Sequence, residues 1–199
     1  MSDWYRRSDW NEEIATDFEA RLGRARPSSR AQYLSLQGYA LLATHPSQAE
    51  ALLERAIASG EPTETPRAAC YLALSRVAQG KIDEAIEAYE VAISAERRNP
   101  AVRSTAGVDQ SFLVALFVKH ELYDQALERL AMAAGENWSL AGLESLAAES
   151  IIRHAKGEAE KARHLAHRAL QSLPEHASGA EWAGISLDSL RMRLEAIAK

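Results

Sequence analysis

Apolar side chains recur every three or four positions through almost the whole chain, and strand-like alternation is nowhere sustained. Near the start, Trp10, Ile14, Phe18 and Leu22 are spaced by four, which places them on one face of a helix. The pattern predicts a helix over 9–24, opened by a capping box of Asp9 and Glu12 and broken at Pro27. At the other end, Leu187, Leu190, Leu194 and Ile197 form a similar stripe. They predict a helix over 179–198 with Ser178 and Glu181 as its capping box. Ten helical segments are read in all, and those between the terminal two come in pairs. Pro46 and Pro66 sit where a first helical turn needs no N–H donor. Gly60, Gly80, Gly135 and Gly157 fall at helix ends or inter-helix turns, where a left-handed residue closes the last turn.

Paired helices raise the question of an internal repeat. A motif of Ala, a large residue four positions on and Ala three further recurs in the second helix of each pair. It is carried by Ala49, Leu53 and Ala56, then by Ala85, Tyr89 and Ala92, then by Ala126, Leu130 and Ala133. A fourth copy has Ala162, Ala166 and Ala169, and the leading alanines are 36, 41 and 36 residues apart. Small residues let the helices of a pair approach closely, while the large one fills the gap to the next pair. One pair alone cannot bury its apolar face, so the pairs must stack.

The second unit holds Ala69, Cys70, Tyr71, Leu72, Ala73, Leu74, Ser75 and Arg76, followed by Gly80, Ala85, Tyr89, Ala92 and Pro100. It resembles a tetratricopeptide repeat. The fourth unit keeps Gly157, Ala162, Ala169 and Pro174, and the third Leu113, Phe117, Ala126 and Leu130. The first keeps Gly38 and Leu41 but is one residue short between its helices. Departures are plain: the first-helix aromatic is replaced throughout, and Arg76 and Arg153 stand where an aromatic is usual. The resemblance implies an all-α, right-handed solenoid of about four antiparallel helix pairs. Residues 1–28 would form an N-terminal tail and capping helix, 29–174 the repeat domain, and 175–199 a C-terminal capping helix. The opening, with Trp4, Tyr5, Arg6, Trp10, Phe18, Arg21, Leu22, Arg24, Ala25 and Gln32 to Leu34, is similar to that of an uncharacterised bacterial group of tetratricopeptide-like proteins.

Composition narrows the function. The 199 residues are 47% hydrophobic and 26% charged, with a net charge of −5. The pI of about 5.7 argues against a nucleic-acid partner, and the arginines of the first thirty residues are balanced by acids. Cys70 is the single cysteine, so neither an intrachain disulfide nor a cysteine zinc cluster is expected. The first residues lack the apolar stretch of a signal peptide, and the longest apolar run, Phe112 to Val118, is too short to cross a bilayer. A cytoplasmic location without a membrane partner is the default expectation.

Candidate chemistry is sparse. Glu160, His164 and His167 share a helical face, with His154 in the preceding helix, and such a set can ligate zinc or iron. The repeat register instead turns Ala162, Leu165, Ala166, Ala169 and Leu173 inward and these polar residues outward, so no metal site is expected. Cys70 has no histidine near it in sequence and reads as a packing residue. No nucleophile elbow, phosphate loop or acid pair is present, so neither a catalytic residue nor a cofactor is assigned. Trp4, Tyr5 and Trp10 either fold back over the end of the stack or form a binding arm.

The resemblance implies that the first helix of each pair lines a concave, protein-binding groove. Its lining would include Gln32, Ser35, Tyr39 and Leu42, then Arg67, Cys70, Leu74 and Val77. Ser111, Ala115, Val118 and Lys119 would follow, then Glu144, Ala147, Ile151 and His154. The Lys and Asn pair with which some family members clamp a terminal carboxylate has no counterpart here. Arg67 and Lys119 flank apolar positions, so the expected partner is a protein or peptide segment mixing apolar and acidic residues. The expected function is a non-enzymatic scaffold, adaptor or assembly chaperone, a monomer or weak homodimer. A small-molecule or peptide-sensing regulatory domain is the alternative.

Overall fold

Prolines open successive helices where the missing N–H leaves no bond unmade. In a computed structural model describing residues 3–135, 142–173, 181–182 and 185–199, Pro27 starts α2 (Pro27–Leu41) and Pro46 starts α3 (Pro46–Ala58). Pro66 lies in the first turn of α4 (Thr65–Ala78). The other helices are α1 (Glu12–Arg24), α5 (Ile82–Arg98), α6 (Ala106–Leu116), α7 (Tyr123–Gly135), α8 (Leu143–Ala155), α9 (Ala159–Ser172) and α10 (Leu187–Ala198). The protein is all-α; among the described residues β1 (Glu181–Trp182) pairs antiparallel with β2 (Ile185–Ser186). Two compact units divide the chain at Ala106 and Gly107.

Both terminal helices start later than the sequence pattern predicts. Asn11, not Asp9, caps α1, its Oδ1 accepting the Ile14 N–H at 2.9 Å. Asp9 is taken instead by Arg7 in an ion pair of 2.7 Å. Trp10 therefore precedes the helix, although its ring still meets Phe18 edge to face, 5.7 Å between centroids. At the other end Ser186 caps α10, its Oγ accepting the Ser189 N–H at 3.2 Å. Glu181, expected inside that helix, is in β1. Pro174 and Ser178 lie outside the described residues.

In the first unit, α2 packs on α3, α3 on α4 and α4 on α5, and α2 also touches α4. The small residues of the repeated motif are the contact points: Ala49, Ala56, Ala85 and Ala92 have no exposed surface, and Leu53 and Tyr89 fill the space between. Ser75 is buried and donates its hydroxyl to the Pro46 carbonyl at 2.6 Å, so a small polar residue joins α4 to α3 without an unmet donor. Arg76, standing where the repeat pattern has an aromatic, clamps three helices by charge. It pairs with Glu50 at 3.0 Å and Glu54 at 3.1 Å on α3, and donates to the Glu84 carbonyl of α5 at 2.9 Å. Lys81 and Gln79 also reach Glu50. Burial alone pushes the Glu50 carboxyl up, but hydrogen bonds from Lys81, Gln79 and Arg76 outweigh it and hold the group below its ordinary value.

In the second unit, α7 packs on α8, α8 on α9, and α10 on both α8 and α9. Ser150 of α8 repeats the serine device, donating to the Ala162 carbonyl at 2.9 Å, whereas the Ser111 hydroxyl of α6 lies 2.7 Å from the Gly107 carbonyl of its own helix and 3.2 Å from the Ala126 carbonyl of α7. Leu187, Leu190, Leu194 and Ile197 are buried. Arg193 ties α10 to the end of α6 by donating to the Leu116 carbonyl at 3.1 Å.

Three inter-helix turns share one geometry. After α4 the Lys81 N–H bonds to the Arg76 carbonyl, and after α8 the Glu158 N–H bonds to the Arg153 carbonyl, each at 2.9 Å. The residue between is Gly80 at φ 73° or Gly157 at φ 79°. After α6 the Lys119 N–H bonds to the Val114 carbonyl at 3.0 Å, and Val118 takes the left-handed place at φ 57°. A Cβ there is strained by about 1–2 kcal/mol, and Val118 is 44% exposed, so little packing offsets it. Val118→Gly is expected to stabilise the protein by about 1 kcal/mol, the flexible unfolded chain offsetting part of the gain. A thermal midpoint that stays put or falls would show that the turn carries no such strain.

Candidate functional site

The largest exposed apolar side chains of the first unit's first-in-pair helices stand on α2 and α4. Tyr39 is 52% exposed and Leu74 43%. Tyr39 is not isolated: its ring stacks on Tyr71 of α4, centroid to centroid 4.5 Å. Arg67, Tyr71 and Leu74 are spaced by four and three along α4, so they follow one another on a single face. Together with Tyr39 they form an apolar and aromatic surface with one cation at its edge.

The charge at that edge is partly used within the chain. Glu64, whose side chain is buried, grips Arg67 with both oxygens, Nε to Oε1 at 2.9 Å and Nη2 to Oε2. This hydrogen bonding raises the guanidinium pKa above its ordinary value. Nη1 keeps no partner among the described residues. Burial raises the Tyr71 phenol, with Arg67 opposing it. The Tyr71 phenol therefore stays protonated at neutral pH, able to give or accept a hydrogen bond.

The remaining expected groove residues are distributed unevenly. Gln32 is exposed, whereas Ser35 has no accessible surface and its hydroxyl finds no partner among the described residues. Ile151 is 2% exposed. Ser35 and Ile151 are packing residues, because a period-based face says nothing of which neighbour covers it. Lys119 is half-buried and His154 exposed, both in the second unit. Cys70 is half-buried and donates its thiol to Ser104 Oγ at 3.4 Å. Ser104 also accepts the Ala106 N–H and donates to Glu96, so its hydroxyl is tied to both α4 and α5. Glu160, His164 and His167 are exposed, and Glu160 pairs with Arg163 at 2.7 Å. Among the described residues no three His, Cys, Asp or Glu side chains converge to hold a metal ion. No described helix is long and apolar enough to cross a membrane.

Compared with known proteins, the chain matches no family model, no curated protein and no solved structure. The site therefore rests on its own geometry. Tyr71 is the member that the repeat register overlooks, since the register selects Cys70 and Leu74 and passes between them. Its signal was available: it follows Arg67 by four and precedes Leu74 by three.

Proposed function

We propose that this chain is a tetratricopeptide-like, non-enzymatic scaffold that holds a protein or peptide segment on the Tyr39, Tyr71 and Leu74 surface. The observation that carries the reading is the stacked tyrosine pair left open beside an exposed leucine. A rigid aromatic platform with polar tips suits an interface, since little side-chain entropy is lost when it is covered. Support for the repeat class comes from the paired helices within each unit, the buried alanines at matching places and the recurring turn geometry. Covering the exposed part of Leu74 would contribute roughly 1 kcal/mol to binding, under half of what full burial of a leucine gives. A carboxylate on the partner could reach Arg67 Nη1, so the segment is apolar with an acidic residue, as an adaptor or assembly chaperone would hold.

The test is co-purification from the native host. Wild type is expected to retain a stoichiometric protein partner, and Leu74→Asp to lose it with helix content unchanged in circular dichroism, because an exposed leucine is not a core residue. Glu160→Ala with His164→Ala, on the exposed face of α9, should bind as wild type does. Loss of the partner in that control, with retention in Leu74→Asp, would move the site to α9. A retained metabolite in place of a protein would favour a small-molecule-sensing domain.

A further inference from the structure

Ahead of α1, residues 3–11 form no regular helix or strand, yet they are held firmly to the body. Two rings anchor them. Trp4 lies 5.4 Å from Phe18 of α1 and 5.0 Å from Tyr33 of α2, and Tyr5 lies 4.7 Å from Tyr33. Beyond the rings, the body binds the main chain. Gln37, with no exposed surface, donates Nε2 to the Arg7 carbonyl at 2.7 Å and accepts the Arg7 N–H on Oε1 at 3.1 Å. Thr44 donates its hydroxyl to the Ser8 carbonyl at 2.6 Å. A side-chain amide thus bonds both polar groups of one residue, as a neighbouring β-strand does.

The charged side chains of this strap behave differently. Arg6 pairs with Asp3 and Arg7 with Asp9, both within the strap itself. Recognition therefore uses aromatic faces and backbone, the mode by which proteins bind extended peptides in general. Tyr33 and Gln37 follow one another along one side of α2 at a spacing of four, and Thr44 lies in the turn after that helix, whereas Tyr39 lies on another side. The strap and the Tyr39 surface are separate places, and neither depends on the other.

We propose that this side of α1 and α2 is a peptide-binding site for an extended segment with two adjacent aromatic residues. Residues 3–10 fill it in cis, and a partner segment of the same chemistry displaces them. Displacement is open to the strap because Trp4 and Tyr5 remain partly exposed, and no regular element joins them to α1. The occupant is a foreign segment and not a second copy. A tethered strap acts at an effective concentration of order millimolar, which an identical strap on another molecule does not match at micromolar protein, so the displacing segment is one that binds this site more tightly than residues 3–10 do.

The test uses the full chain carrying Trp4→Ala and Tyr5→Ala, with a fluorescent synthetic peptide of residues 3–10 as the probe. The variant is expected to bind the peptide saturably, and wild type at least about tenfold more weakly, since its own strap competes. Adding Gln37→Ala should weaken peptide binding by about tenfold, the loss of a buried hydrogen-bonding partner. A folded variant that fails to bind the peptide, or binding indifferent to Gln37→Ala, would overturn the proposal. Hydrogen exchange on the wild-type chain keeps the question answerable if the variant does not fold. The Arg7 amide should open more readily than the core amides of α2, and exchange only through global unfolding would make the strap a fixed part of the core and sink the idea. Concentration-dependent dimerisation of wild type, abolished by Trp4→Ala, would assign the site to strap exchange between copies and overturn the foreign partner.

Discussion

Phe18→Ala is expected to lower the stability of the first unit by about 3–5 kcal/mol, the usual range for truncating a buried phenylalanine. Phe18 is 1% exposed, and both Trp4 and Trp10 rest their rings on it, at 5.4 and 5.7 Å. Truncation removes the floor of that cluster, so the cavity cannot be filled by a small shift of one neighbour. The strap loses its main apolar contact at the same time. Urea unfolding followed by tryptophan fluorescence measures the effect, with the two units allowed separate transitions because a single midpoint has no clear meaning otherwise. A loss below about 1 kcal/mol would mean that the strap and α1 are not anchored through this ring.

Gly38→Leu should be nearly as damaging, at about 3 kcal/mol or more, the upper end of overpacking effects. A Cβ at position 38 would lie 2.6 Å from Leu53 Cγ, 2.9 Å from its Cδ2 and 3.3 Å from the Ala49 carbonyl oxygen. Leu53 has no exposed surface, so it has no room to withdraw. Gly38→Ala separates two opposing effects. Alanine in a helix interior is favoured over glycine by about 1 kcal/mol, while the clash with Leu53 acts against it. The clash is expected to win, giving a net loss that Leu53→Ala partly relieves in a double-mutant cycle. If Gly38→Ala alone raises the denaturant midpoint, α2 and α3 do not approach as closely as the structure places them.

The two substitutions test different kinds of information. Gly38 is legible in the chain itself: a glycine amid helical spacing, paired with the alanine motif of the next helix, announces a close approach. Its structural neighbours, Ala49 and Leu53, are the motif's own first two residues. The anchoring of the strap on Phe18 is less legible. The spacing of Trp10, Ile14, Phe18 and Leu22 suggests one continuous helical face, whereas the helix starts after Asn11 and Trp10 reaches Phe18 from outside it. A capping box written in sequence is only one option for its carboxylate, and Arg7 competes for Asp9 more effectively.

By itself, the sequence determined what depends on near neighbours along the chain. Helical period is local, so the all-helical class and the buried stripe of Leu187, Leu190, Leu194 and Ile197 follow from spacing alone. Gly80 and Gly157 mark their turns because a left-handed residue must stand there whatever packs around it. The tertiary structure decided what depends on which surface is covered and by whom. Period places Ser35 and Ile151 on a face, but only packing shows that they are buried, while Tyr39 and Leu74 remain open. No spacing rule pairs Tyr39 with Tyr71 or Gln37 with Arg7, and none puts Val118 at a positive φ. Those contacts join residues about thirty positions apart, and the free energy that selects them belongs to both surfaces at once, so neither segment carries it alone.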